Sequence, residues 1–204
     1  KIFKGATVKQ AYEMNARACG LVVEVEVHRE LSDCVFLAGW WQLGLDGLLY
    51  WLPLPGVVGK YGKICTEPLF IVRKATKDPS EALRMICHAL SCGHQVDRAY
   101  PIVGAMCDAF DRAAGEVRLP AAEVKRLKHD VIDRYEYRPM RNSIRAVDVE
   151  SCVLSMERRY GIDRDEIMRV DALLRTSNAP CVVVDETLAR VVNHDYGCSA
   201  PLSC

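Results

Sequence analysis

Between Ala6 and Lys63 the spacing of apolar side chains switches from a helical period to an alternating one, and that switch limits the fold more than any other feature. Val8, Ala11, Tyr12 and Ala18 share one side of a helix expected over about Thr7–Cys19. Gly20 follows, a residue free to adopt the left-handed conformation that stops a helix. From Leu21 to Val27 the period becomes two. Val23, Val25 and Val27 share one face and Glu24 and Glu26 the other, the pattern of a strand with one wetted side. Cys34–Trp41 and Leu48–Leu52 are two further expected strands, joined by Gly44-Leu45-Asp46-Gly47, in which Asp-Gly accepts positive φ. Pro53 and Pro55 end the second of them, because proline has no N–H to give a ladder.

Downstream the signals are helical. Asp78-Pro79-Ser80-Glu81 places an N-cap, an N1 proline and an N3 glutamate in register for a capping box. Leu83, Ile86, Cys87 and Leu90 form the expected stripe of that helix, and Gly93 its stop. Tyr100-Pro101 opens a second helix to about Ala114, with Ile102, Val103, Met106 and Phe110 inward and Gly115 as terminator. Further helices are expected over Pro120–Asp133 and Asp148–Tyr160, the latter with Val149, Cys152, Val153 and Met156 inward and Gly161 at its end. Asp163-Arg164-Asp165-Glu166 is a second capping box, ahead of Ile167, Val170, Leu173 and Leu174. Cys181–Val184 reads as a short strand or a buried turn, and Asp185–Asn193 as a last short helix. The expected fold class is α+β: a short antiparallel sheet or hairpin region over residues 1–75, then a mainly α-helical bundle over residues 76–204.

With half of its 204 residues apolar, the chain can bury a substantial core. Lys and Arg number 27, as do Asp and Glu, so no global charge bias draws it to nucleic acid or membrane; any basic groove must be local. No apolar run approaches the roughly 20 residues of a membrane helix, and no membrane segment or secretory leader is expected. Lys1 suggests a piece of a longer polypeptide or a processed product. The ten cysteines are scattered through the expected helices and strands, which favours free thiols in a reducing, cytosolic compartment.

The order of these parts resembles the segment that follows the catalytic aspartates in viral RNA-dependent RNA polymerases, especially those of nodavirus-like positive-strand viruses. Gly20-Leu21 matches the close of the helix beneath the palm. The strand after it corresponds to motif D, whose trailing loop supplies a general acid to the pyrophosphate leaving group. Here that loop reads His28-Arg29-Glu30, so the resemblance makes His28 the proton donor and Arg29 the charge stabiliser, in place of the usual lysine. Phe36-Leu37 matches the start of the motif E hairpin, which braces the primer strand; Ala38-Gly39-Trp40-Trp41 departs from the usual basic continuation. The proline turn and Lys60, Lys63, Arg73, Lys74 and Lys77 follow the basic passage into the thumb, where they would hold backbone phosphates. Asp97…Tyr100-Pro101-Ile102-Val103-Gly104 and Arg159-Tyr160-Gly161-Ile162-Asp163 have counterparts in these thumbs. The resemblance implies an RNA primer–template duplex as partner, together with the remainder of the palm and fingers, in a replication complex in the host cytoplasm. It also implies Mg2+ on aspartates upstream of Lys1; no metal site is assigned to this chain.

Plainer readings stand beside each motif. Phe36, Trp40, Trp41, Tyr50 and Trp51 can simply form the core between sheet and helices, and the lysines a solvated loop. Cys87-His88…Cys92-Gly93-His94 holds the ligand types of a zinc site, but Cys87 also belongs to an apolar stripe. The basic stretch Arg118, Lys125, Arg126, Lys128, His129, Arg134, Arg138, Arg141 and Arg145 is a nucleic-acid face or a salt-laced surface. A non-catalytic RNA-binding module is the alternative function. A cysteine hydrolase, drawing on Cys19 with His94, His129 or Asn193-His194-Asp195, is a remote third.

Overall fold

A computed structural model describes residues 7–23, 25–30, 33–36, 38–60, 76–93, 96–118, 146–178 and 183–196. The elements are α1 (Val8–Ala18), β1 (Val35–Phe36), β2 (Gly39–Leu43), β3 (Leu49–Pro53), a 3-10 helix (Pro55–Lys60), α2 (Pro79–Gly93), α3 (Val103–Ala114), α4 (Val149–Tyr160), α5 (Arg164–Thr176) and α6 (Glu186–Tyr196). The chain is α+β, a small antiparallel sheet followed by a helical bundle. The Pro120–Asp133 helix and residues 181–182 of the expected strand or turn lie outside the described residues; residues 183–185 have no regular structure.

The sheet runs β1-β2-β3, antiparallel throughout, with Val35 opposite Trp40 and Trp41 opposite Trp51. Its second turn forms as expected. Gly47 takes φ +75, the Gly44 N–H donates to the Leu48 carbonyl at 2.8 Å, and the Leu48 N–H donates to Asp46 Oδ1 at 3.1 Å. The expected single strand Cys34–Trp41 is instead two strands. The chain reverses between Phe36 and Gly39, with Ala38 at φ +56, a position that usually goes to glycine. Gly39 is needed for another reason: a Cβ there would sit 2.1 Å from the Trp51 ring.

α1 begins with a complete Thr7–Gln10 capping box and is closed by Gly20 at φ +77, yet it buries no residue. The described residues of Leu21–Val27 form no strand. They lie outside the sheet, with Val22 98 % and Val27 66 % exposed. An alternating pattern only says which side would be covered if a neighbouring strand existed.

The bundle shares one core with the sheet: Trp40, Leu52 and Leu54 pack with Tyr100, Ile102, Val153, Met156, Ile167 and Val191. Asp148 caps α4 through the Ser151 N–H, and Gly161 stops it in the left-handed region. Asp163 and Glu166 close the capping box of α5. At α2, Asp78 Oδ1 accepts the Ser80 N–H at 2.9 Å, but Glu81 turns to the Thr76 hydroxyl rather than completing a box. Its inward stripe is Ala82, Met85, Cys87, Ala89 and Leu90; Leu83 is exposed. α3 starts later than expected, at Val103, because Ile102 is held at φ +67 with its N–H donated to Asp171 Oδ1 of α5 at 2.9 Å. Among the described residues no helix is long and apolar enough to cross a membrane.

Candidate nucleic-acid interface

Antiparallel register sorts the aromatic side chains of the ribbon by face. Trp40 and Leu52 point to the bundle; Gly39, Trp41 and Leu43, with their partners Pro53, Trp51 and Leu49, point away. Trp40 has no exposed surface. Its indole N–H donates to the Tyr100 hydroxyl at 2.8 Å, and that hydroxyl donates to the Pro53 carbonyl at 2.8 Å. This chain of bonds fastens both strands of the ribbon, at the end away from the Asp46-Gly47 turn, to the turn before α3. Burial also pushes the Tyr100 phenol well above its ordinary pKa, so it stays a donor. Trp40 is therefore a core residue, and the expectation that it touches RNA is corrected. Trp41 and Trp51, directly opposite each other, are half-buried on the outer face, with Leu49 45 % exposed beside them. Counting in twos from Gly39 separates Trp40 from Trp41, so this sorting was available in the sequence.

The end of the ribbon is clamped where it enters the 3-10 helix. Asp195 of α6, its side chain wholly buried, accepts the Gly56 N–H at 2.9 Å and the Tyr160 hydroxyl at 2.9 Å on one oxygen. The other oxygen takes the Arg159 guanidinium at 3.0 and 3.2 Å. Arg159 in turn lies 5.9 Å over the Trp40 ring and 5.6 Å over Tyr160. No side chain fits at Gly56 or Gly59, where a Cβ would meet Asp195 Oδ2 at 2.6 Å and Val192 Cγ1 at 2.5 Å. These contacts fix the 3-10 helix on α6; Lys60 is the last residue of that helix by its backbone. Lys63, Arg73 and Lys74 lie outside the described residues, as does Leu37; Phe36 belongs to β1 by its backbone.

The segments 97–104 and 159–163 meet in the core. Tyr100 and Tyr160 flank Trp40, with the Trp40 and Tyr160 rings 6.2 Å apart. Asp97 accepts N–H bonds from Ala99 at 3.0 Å and Val147 at 2.9 Å. Gly104 admits the Arg98 carbonyl oxygen to 2.5 Å of where a Cβ would stand. These residues organise the bundle rather than face a ligand.

His28 and Arg29 sit in an exposed irregular segment, with His28 Nε2 3.1 Å from Glu26 Oε2. Most described bundle cations are paired: Arg164 with Glu150, Arg169 with Asp185, Arg190 with Glu166, and Arg175 with Asp108 and Asp171. The hydrogen bond from Arg164 holds the Glu150 carboxyl below its ordinary range, and that from Arg169 does the same for Asp185. This part of the surface is salt-laced. Of the basic stretch from Arg118 to Arg145, Arg118 alone is described, and it donates to the Gly115 and Val117 carbonyls at 2.6 and 2.8 Å. Among the described residues no group of three or more His, Cys, Asp or Glu is placed to hold a metal ion; His94 of the zinc-like cluster lies outside them. No family model, curated protein or solved structure matches this chain.

Proposed function

We propose that this chain is the post-catalytic palm edge and thumb of a viral RNA-directed RNA polymerase, and that it holds the primer–template duplex during nucleotidyl transfer. The observation that carries the reading is the two-sided ribbon. One face is locked to the bundle through the Trp40–Tyr100 hydrogen bond, while the other presents Trp41 and Trp51. From there the chain passes through Pro53-Leu54-Pro55 to Lys60. A rigid aromatic surface followed by cations suits ribose and phosphate contacts made by shape and charge, without base reading. In the intact enzyme Mg2+ on aspartates outside this chain would supply the metal chemistry. His28, beside Arg29, would return a proton to pyrophosphate. The work would take place in a cytoplasmic replication complex with the rest of the palm and fingers.

The test is binding of a short RNA duplex across a salt series. Micromolar, sequence-tolerant binding that weakens with salt is expected, and Lys60→Ala with Lys63→Ala should flatten the salt slope by about two charges. Trp41→Ala should weaken binding by about 1–3 kcal/mol if a base or ribose stacks there. Salt-independent binding, or double-lysine and Trp41 variants indistinguishable from the parent, would overturn the assignment. So would a longer reading frame with no Gly-Asp-Asp triplet in the few tens of codons before Lys1.

A non-catalytic RNA-binding module uses the same face and predicts the same binding. The reading frame separates the two.

A further inference from the structure

Ile102 occupies a backbone conformation that a β-branched side chain rarely accepts. Its φ of +67 and ψ of −61 are those of a γ-turn of the strained hand. The Val103 N–H closes that turn on the Pro101 carbonyl at 2.8 Å. Local preference pulls the other way. Pro101 suits the first position of a helix, and with Ile102 in the right-handed region α3 would begin there. The Pro101 carbonyl would then accept the Ala105 N–H, four residues on, in place of Val103.

Three contacts hold the strained form. Asp171, which is buried, accepts the Ile102 N–H at 2.9 Å. Arg175 donates to the other Asp171 oxygen and to the Arg98 carbonyl, each at 2.7 Å, and so ties α5 to the turn from both sides. The Tyr100 hydroxyl is tied to Trp40 and Pro53, each at 2.8 Å. The ribbon is fastened differently at its other end. Beside the Asp46-Gly47 turn, the Leu45 N–H donates to the Ala146 carbonyl at 3.0 Å, and the Asp148 N–H to the Leu43 carbonyl at 2.9 Å. Neither of these backbone bonds involves the strained turn.

We propose that residues 100–103 form a two-state latch on the ribbon. When Ile102 relaxes into the helical region, the chain before it rotates relative to α3. Tyr100, two residues back, then leaves Trp40 and Pro53, and the Ile102 N–H leaves Asp171. Freed at one end, the ribbon tilts about its fixed turn end, and the direction in which Trp41 and Trp51 face changes. Sheet and bundle stay folded and packed on each other. The latch stands on the fold alone, whether or not the ribbon meets RNA.

Hydrogen exchange followed by NMR on the 204-residue chain tests it. The Trp40 indole N–H and the Ile102 N–H should open together, about tenfold more often than the amides of α5. The Asp148 N–H, at the fixed end, should follow α5. Asp163→Ala removes the cap of α5 and leaves the latch alone. It should speed exchange in α5 about fivefold and leave Trp40 and Ile102 unchanged. Ile102→Gly and Ile102→Ala both empty the same core position and differ by one Cβ at positive φ. The indole N–H should exchange about fivefold faster in the alanine variant. An indole that exchanges at the rate of α5, or a rise shared by both after Asp163→Ala, makes the opening global unfolding and overturns the latch. An alanine variant no faster than the glycine variant overturns it too. Should neither Ile102 variant fold, the Asp163→Ala comparison decides alone.

Discussion

Asp195 shows what a single buried charge can hold. Its carboxylate meets four donors, from Gly56, Tyr160 and two nitrogens of Arg159, so the cost of desolvating it is offset. Asp195→Ala would strand Arg159, which is only 18 % exposed, and should cost on the order of 3–5 kcal/mol in chemical denaturation. Gly56→Ala attacks the same point sterically and should cost about 1–3 kcal/mol. Around it, Tyr100 and Tyr160 are raised above the ordinary phenol range by burial, and Cys87, Cys107 and Cys152 above the ordinary thiol range. These groups favour the native state while they are protonated. Their contribution is complete below the unfolded thiol value of about 8.5 and is lost as pH climbs toward the folded values. Stability should therefore fall above about pH 8.5, and the absorbance of Tyr100 and Tyr160 phenolates should emerge only together with unfolding. Early, independent titration of all eight tyrosines would contradict the described core.

At the level of elements, the bundle is held by side chains that cap helices from far away. Asp171 of α5 accepts the Ile102 N–H at the start of α3 and also takes Arg175 Nε at 2.7 Å, while Arg175 donates to the Arg98 carbonyl at 2.7 Å. Asp171→Ala should cost about 2 kcal/mol, the upper range for a lost cap, and reduce amide-exchange protection at the first turn of α3. Signals local to a helix end could be read from sequence, as with Asp148, Asp163, Gly115 and Gly161. So could the Asp46-Gly47 turn. What depended on a distant partner could not. The late start of α3 needs Asp171, 69 residues away, and the reversal after Phe36 has alanine, not glycine, at its positive-φ position Ala38. Leu21–Val27 alternates with no strand beside it among the described residues. Of the candidate interface, the ribbon, its aromatic content and the sorting of Trp40 and Trp41 to opposite faces were legible; which face the bundle covers depended on distant partners such as Tyr100.

Across the whole molecule, residues before and after the expected division at 75 share one core, because Trp40 and Leu54 pack among helix residues. A fragment spanning residues 76–204 would leave Tyr100 without both Trp40 and Pro53 and should lack the cooperative unfolding transition of the full chain. Calorimetry on the two lengths checks this; a fragment melting like the parent would show that the bundle is self-sufficient. The 139-residue span between Gly56 and Asp195 has a kinetic meaning as well. During translation the Gly56 amide must wait, solvated, until Asp195, 139 residues later, has left the ribosome. The turn bearing Lys60 is thus among the last pieces to seat, so a stalled or truncated nascent chain presents a loose ribbon to chaperones and proteases.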